Sequence, residues 1–101
     1  MAAGVVSSGR GGGGPRLLAQ LRQALRVRHY SRRTEEAYVG WVRRFVRFCG
    51  LRHPRELGER DVERFLTSLA VDRGVSASTQ TQALSALVFL YDAVLGRPLG
   101  L

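Results

Sequence analysis

From residue 15 onward, apolar residues recur at intervals of three and four, and no segment alternates apolar and polar residues as a half-buried strand does. This periodicity limits the chain to an all-α fold. Helix-breaking residues divide the pattern into segments, and they are Gly50, Pro54, Gly58, Gly74 and Gly96. Because the connections between segments are short, we expect a single four-helix bundle of roughly 80 residues.

The first three predicted helices cover about residues 16–28, 32–49 and 59–73, and the fourth ends near residue 95. Ser31 offers a hydroxyl to cap the second helix. For the fourth helix either Ser76 or Ser78 could be the cap, and Thr79-x-x-Gln82 has the form of a capping box. Its wide apolar surface predicts that the fourth helix is central in the bundle or faces another domain.

Residues 1–15 differ in composition from the rest, since glycine and small polar residues dominate them. We predict a disordered tail here, either a flexible linker or a mistranslated leader. Residues 16–96 then form the folded domain.

The second helix carries the strongest division of residue types. Its apolar positions share an arc of about 120°, and they are Tyr38, Trp41, Val42, Phe45, Phe48 and Cys49. Arg33, Arg43, Arg44 and Arg47 lie opposite, within about 100° of each other. The helix's acids, Glu35 and Glu36, occupy its first turn, where the helix dipole favours them. The four arginines therefore form either a face that binds an anion or a face that is simply solvated.

The charge of the chain is concentrated in its first half. Sixteen arginines and no lysine oppose eight acids, for a net charge of +8. Residues 16–55 hold eleven arginines and two acids, a net of +9, while residues 56–101 hold four arginines and six acids, a net of −2. A GC-rich genome would explain the choice of arginine but not the excess over acids. That excess favours a polyanionic partner, most often nucleic acid.

Enzymatic chemistry has no support in the pattern. His29 and His53 are a helix apart without cysteine or carboxylate at metal-ligand spacing, so we predict no metal or cofactor. Cys49 falls on the apolar side of its helix and fits a buried small hydrophobe. A single cysteine, with neither a membrane span nor a signal peptide in the sequence, predicts a bacterial cytoplasmic location.

Two stretches, residues 29–54 and 65–96, resemble the N-terminal core-binding domain of tyrosine recombinases, the phage integrase family. By eye they are most similar to the integron-type integrases. The resemblance depends on linked features: Tyr30-Ser31 before Arg33-Thr34, then Tyr38 and Trp41, the pair Phe45 and Phe48, residues 76–82, and residues 87–91.

The resemblance implies a four-helix, SAM-like bundle that forms one jaw of a C-shaped clamp around DNA, with the second and fourth helices at the major groove. It implies that six residues lie nearest the DNA: Arg32, Arg33, Thr34, Ser78, Thr79 and Gln82. Arg43, Arg44 and Arg47 are added to this predicted surface from the helical wheel. Since the fourth helix offers hydroxyls and amides, it suits base edges, whereas the second helix suits phosphates.

The resemblance also implies a function, DNA binding within a site-specific recombinase for DNA integration and recombination. The family's catalytic residues belong to a second domain that would begin after about residue 101, so residues 97–101 would start a linker and this chain alone would not be an enzyme. Implied partners are double-stranded DNA, the catalytic domain and other recombinase protomers. The alternative is a basic helical protein–protein interaction module that uses Phe89 and the apolar residues Leu95, Leu99 and Leu101.

Overall fold

The computed structural model describes residues 14–101, with side chains from residue 16 onward. Its four α-helices are α1 (Gly14–Val27), α2 (Arg32–Phe48), α3 (Glu59–Val71) and α4 (Ala77–Phe89). A short 3-10 helix, Pro54–Glu56, precedes α3, and a π-helical turn, Leu90–Val94, continues α4. Within residues 14–101 there is no strand, which confirms the predicted all-α four-helix fold. Apart from residues 14 and 15, which begin α1, the predicted glycine-rich tail lies outside the described residues.

Serine hydroxyls begin α2 and α4. Ser31 Oγ accepts a hydrogen bond from the Thr34 amide at 3.1 Å, as the sequence predicted. Ser76 Oγ accepts from the Thr79 amide at 3.2 Å, so Ser76 rather than Ser78 caps α4. The predicted Thr79-x-x-Gln82 capping box is wrong, because Thr79 already lies at the third helical position after Ser76.

The core lies where α4 and its π turn meet the other helices. Leu87, Leu90 and Tyr91 are fully buried there. Helix α4 packs against both α2 and α3, while the π turn packs against α1. None of the helices in residues 14–101 combines the length and apolar character needed to cross a membrane.

The buried side of α2 is rotated from the predicted one. Val39 and Val46, omitted from the predicted apolar arc, are buried, whereas Phe48 is 38% exposed and Cys49 is half-buried. The rotation follows from α1, which packs on the side of α2 that carries Glu35.

Glu35 is a buried acid at the contact between α1 and α2, with 3% of its surface exposed. Its carboxylate accepts hydrogen bonds from Arg22 Nη1 at 2.7 Å, Arg26 Nε at 3.0 Å and Arg26 Nη2 at 3.1 Å. These two guanidinium groups lower the pKa of Glu35 from 4.5 to about 2. The sequence predicted only a favourable place near the start of the helix; the main role of Glu35 is to join two helices.

A second buried polar contact joins the π-helical turn after α4 to the 3-10 helix before α3. The buried Tyr91 hydroxyl donates to the Pro54 carbonyl at 2.6 Å, and the Arg97 guanidinium lies 4.9 Å from the centre of the Tyr91 ring. Arg97 also donates to the Leu57 carbonyl. The Gly100 amide donates a hydrogen bond to the Glu59 carboxylate at 2.8 Å, so the C-terminal residues lie against the start of α3.

We predict that Glu35→Gln destabilises the fold at neutral pH, since both arginines then face a neutral amide in place of a carboxylate. The folded-state pKa of Glu35 lies below the ordinary value, so its stabilisation is complete above about pH 4.5 and is lost as the pH falls to about 2. Urea unfolding at a series of pH values should therefore show a gap between wild type and variant that closes in this window. Glu36→Gln is the control, because Glu36 is 61% exposed and makes one bond of 3.3 Å; an equal effect of the two variants would contradict the prediction.

We predict that Tyr91→Phe lowers the free energy of unfolding by about 1 kcal/mol, because the buried Pro54 carbonyl loses the Tyr91 hydroxyl and keeps only the Leu57 amide as a donor. Tyr30→Phe is the matched control, since the Tyr30 side chain is 41% exposed, and its effect should stay within about 0.5 kcal/mol. Chemical denaturation of both variants measures the difference. Equal stability of Tyr91→Phe and wild type would show that the bond contributes nothing net.

Candidate nucleic-acid interface

One side of α2 presents arginine to solvent because the opposite side is buried in the core. Arg33, Arg43 and Arg47 are exposed and Arg44 is partly covered. Among the ion pairs found in residues 14–101, none involves these four side chains. Glu36, the acid that shares this side, pairs with Arg22 of α1 at 3.3 Å. The arginine side of α2 therefore keeps its positive charge.

Trp41 connects this side of α2 to α4. The Arg44 guanidinium lies 4.6 Å from the centre of the Trp41 ring, and the indole N–H of Trp41 faces Gln82 Oε1 at 3.5 Å, a long hydrogen bond. The structure thus brings Arg44 and Gln82, two predicted site residues, to the same place. The sequence predicted Trp41 only as a core residue. Its contact with Arg44, three residues further along the same helix, was available from the spacing, whereas its contact with Gln82 of α4 was not, because a helical wheel does not show contacts between helices.

The first turn of α4 holds a connected set of hydroxyls. Ser76 Oγ donates to Thr79 Oγ1 at 3.0 Å and lies 3.2 Å from Ser78 Oγ. Ser78 is exposed and Thr79 half-buried. Both predicted site residues therefore contact the capping hydroxyl of Ser76, and a hydroxyl in such a set keeps further donor or acceptor capacity.

The start of α2 is a separate group. Arg32 and Arg33 are exposed, while Thr34 is half-buried and its Oγ1 accepts from Ser31 Oγ at 3.1 Å. Arg33 precedes Arg44 by eleven residues, which is about 16 Å along a helix axis. The predicted site residues on α2 consequently form two groups, one at its start and one near its end.

Near the end of α2, Arg44 and Arg47 line a cavity of about 240 Å³. Arg73, which lies two residues after the end of α3, lines the same cavity. Arg43 does not line it. Arg73 was missing from the predicted site because the sequence treats it only as a charged helix end.

Phe89, which the interaction-module alternative placed at a partner surface, packs within the domain. Its ring centre lies 5.5 Å from that of Tyr30 and 5.9 Å from that of Tyr38. The Arg28 guanidinium lies 5.4 Å from the Phe89 ring centre. Phe89 is therefore half-buried beside the start of α2.

His53 and Cys49 have structural roles or buried surroundings. His53 Nδ1 accepts from the Arg55 amide at 3.0 Å and caps the 3-10 helix, and burial lowers the pKa of His53. Burial raises the pKa of the Cys49 thiol, which keeps it protonated. No group of three or more histidine, cysteine, aspartate or glutamate side chains in the described part of the chain could hold a metal ion.

Comparison with known proteins agrees with this architecture. Residues 17–101 match the family model described as phage integrase, N-terminal SAM-like domain. Two relatives named integrase/recombinase, one from Escherichia coli and one from Pseudomonas aeruginosa, are each 58% identical to this chain over 80 residues. The aligned part is 79% of this chain but 24% of each relative, so the chain spans about a quarter of the length of the curated relatives it matches.

These matches confirm the resemblance to the phage integrase family and the SAM-like fold, while the closer likeness to integron-type integrases stays a prediction. The family model covers most of the chain, including all of α2, α3 and α4. The chain therefore belongs to the family of phage integrase N-terminal SAM-like domains.

Proposed function

We propose that this domain binds duplex DNA as one jaw of the clamp of a site-specific tyrosine recombinase. The observation that carries the proposal is the arginine side of α2, where Arg33, Arg43, Arg44 and Arg47 lack an ion-pair partner among the described residues. Guanidinium groups match phosphate oxygens in planar, paired hydrogen bonds, which favours arginine for binding a nucleic-acid backbone.

The distribution of ion pairs supports this assignment. Arg22 and Arg26 are neutralised by Glu35 and Glu36 between α1 and α2, and Arg52 pairs with Glu56 at 3.6 Å. Of the eight arginines in residues 16–55 that make no ion pair in the described structure, four lie on the arginine side of α2, where no acid pairs with them. A partner with regularly spaced negative charges gains most from such a side, through release of its counterions.

In this proposal α4 contributes contacts to base edges. Ser78, Thr79 and Gln82 offer neutral hydrogen-bonding groups beside the charged side of α2, and Trp41 joins Gln82 to Arg44. Phosphate contacts position a protein on DNA, whereas neutral side chains in the groove distinguish bases. The start of α2 would contact the DNA backbone through Arg32, Arg33 and Thr34.

The proposal extends to a longer protein. Both relatives carry the name integrase/recombinase, and we infer that this domain acts in DNA integration and recombination together with a catalytic domain and further protomers, in the bacterial cytoplasm. The domain alone should have no strand-exchange activity. The integron-type assignment is the narrower form of the proposal.

The alternative, a basic helical protein–protein interaction module, loses one of its supports because Phe89 is packed against Tyr30 and Tyr38. A gel shift with duplex DNA at low salt separates the two functions. Absence of a shift at tens of micromolar would favour the interaction module.

We predict weak, salt-dependent DNA binding by the domain alone, with a Kd of about 10⁻⁴ to 10⁻⁶ M at physiological salt. If about five phosphates are neutralised, log affinity should fall against log salt concentration with a slope of about −4 to −5. In the triple variant Arg43→Gln, Arg44→Gln and Arg47→Gln, the slope should become less steep by about 3. Fluorescence anisotropy with a labelled duplex over a salt series measures both quantities.

The matched control removes three other exposed arginines, Arg16→Gln, Arg55→Gln and Arg60→Gln, so the change in net charge is the same. None of these three belongs to an ion pair in residues 14–101. The control should retain most of the wild-type slope. Equal losses in the two triple variants would reduce the interaction to net charge and contradict the assignment to α2.

A further inference from the structure

A cavity between the end of α2 and the end of α3 has three arginines in its lining. We propose that it holds one sugar–phosphate unit of the DNA backbone, an inference that rests on the proposed function. The cavity measures about 240 Å³. Its polar lining is Arg44, Arg47, Ser68 and Arg73, and its apolar lining is Phe48, Phe65 and Leu69.

Two segments of the chain contribute positive charge to the cavity. Arg44 and Arg47 come from α2, one turn apart, and Arg73 comes from the segment after α3. None of the three makes an ion pair or a side-chain hydrogen bond with another described residue, and Arg44 is held in place by the Trp41 ring at 4.6 Å. Three arginine side chains in the lining of one cavity favour a group that carries negative charge on several oxygens.

Asp72, which precedes Arg73 in the sequence, forms no ion pair with these arginines. Asp72 Oδ2 accepts a hydrogen bond from Ser68 Oγ at 3.1 Å and lines the neighbouring groove, which contains Phe48 and Arg64, rather than the arginine cavity. The Ser68 hydroxyl proton is therefore directed toward Asp72. Ser68 contributes polarity to the wall, and the three arginines supply the donors.

The apolar lining decides the kind of anion. A free phosphate would use only the arginines, whereas Phe48, Phe65 and Leu69 add apolar side chains to the lining; Phe48 is 38% exposed, and the Arg64 guanidinium lies 5.7 Å from its ring centre on the side of the neighbouring groove. A deoxyribose ring, with its largely apolar C–H surface, can pack on such a surface while its phosphate contacts the guanidinium groups. The combination fits a sugar–phosphate unit better than a small inorganic anion.

The place of the cavity in the chain agrees with a backbone contact. Arg73 lies three residues before Ser76, the cap of α4. A phosphate held by Arg73 would bring the adjoining nucleotides toward the first turn of α4, where Ser78 and Thr79 are the proposed contacts to bases. The cavity would thus set the position of the backbone relative to α4.

The test is the single variant Arg73→Gln in duplex binding. Because the Arg73 side chain makes no hydrogen bond within residues 14–101, the fold should be unchanged, which circular dichroism and thermal unfolding verify. We expect affinity for a short duplex to fall about five- to tenfold near 0.1 M salt and the salt slope to become less steep by about 1. Arg73→Lys should restore the slope but only part of the affinity, since lysine keeps the charge and loses the fork geometry.

Arg60→Gln is the matched control, because Arg60 is exposed at the start of α3, has no ion-pair partner in the described residues and does not line the cavity. NMR signals of the arginine Nε–H groups add a local measurement: those of Arg73, Arg44 and Arg47 should shift together as duplex is added. If wild type binds DNA and Arg73→Gln behaves as Arg60→Gln does, the cavity proposal is overturned while the proposed function stands. If wild type fails to bind DNA, both are overturned.

Discussion

The carboxylate of Glu35 determines how α1 lies on α2, and most of the exposed surface follows from that contact. Because Arg22 and Arg26 reach Glu35 from α1, they fix which side of α2 faces the core. Replacing a buried ion pair by apolar residues is often neutral or favourable for stability, so such pairs are better explained by the single arrangement that they enforce. Here the arrangement buries Val39 and Val46 and leaves the arginine side of α2 in solvent. The same contact pairs Arg22 and Arg26 with Glu35 and Glu36, so these two acids do not pair with the arginines on the exposed side of α2.

The fold could be predicted from local signals because each helix has its own periodicity and its own terminal residues. Ser31 and the glycines after α2 and α3 define their helix ends through backbone geometry that involves only neighbouring residues. The rotation of α2 could not be predicted this way, since the burial of Val39 and Val46 depends on how α2 packs against other helices. The π turn at Leu90–Val94 has no local signal either, because tertiary packing around Leu90 and Tyr91 selects it.

The candidate site shows the same division. Helical spacing alone placed Arg33, Arg43, Arg44 and Arg47 on one side of α2, and the structure has them exposed or partly covered there. The contribution of Arg73 could not be predicted, because it depends on α3 ending beside α2. Nor does the sequence show that Trp41 lies beside Gln82, a contact that needs α4 against α2. Residue type and periodicity thus identify the charged surface, while its grouping into sites depends on helix packing.

The C-terminal residues are attached to the start of α3. The Gly100 amide donates a hydrogen bond to the Glu59 carboxylate at the first residue of α3, and Arg97 donates one to the Leu57 carbonyl just before it. At its other end, about 20 Å away along the axis, α3 leads into Arg73 and the arginine cavity. Residues 97–101 and the arginine cavity therefore lie at opposite ends of one short helix, and α3 is the direct structural connection between them.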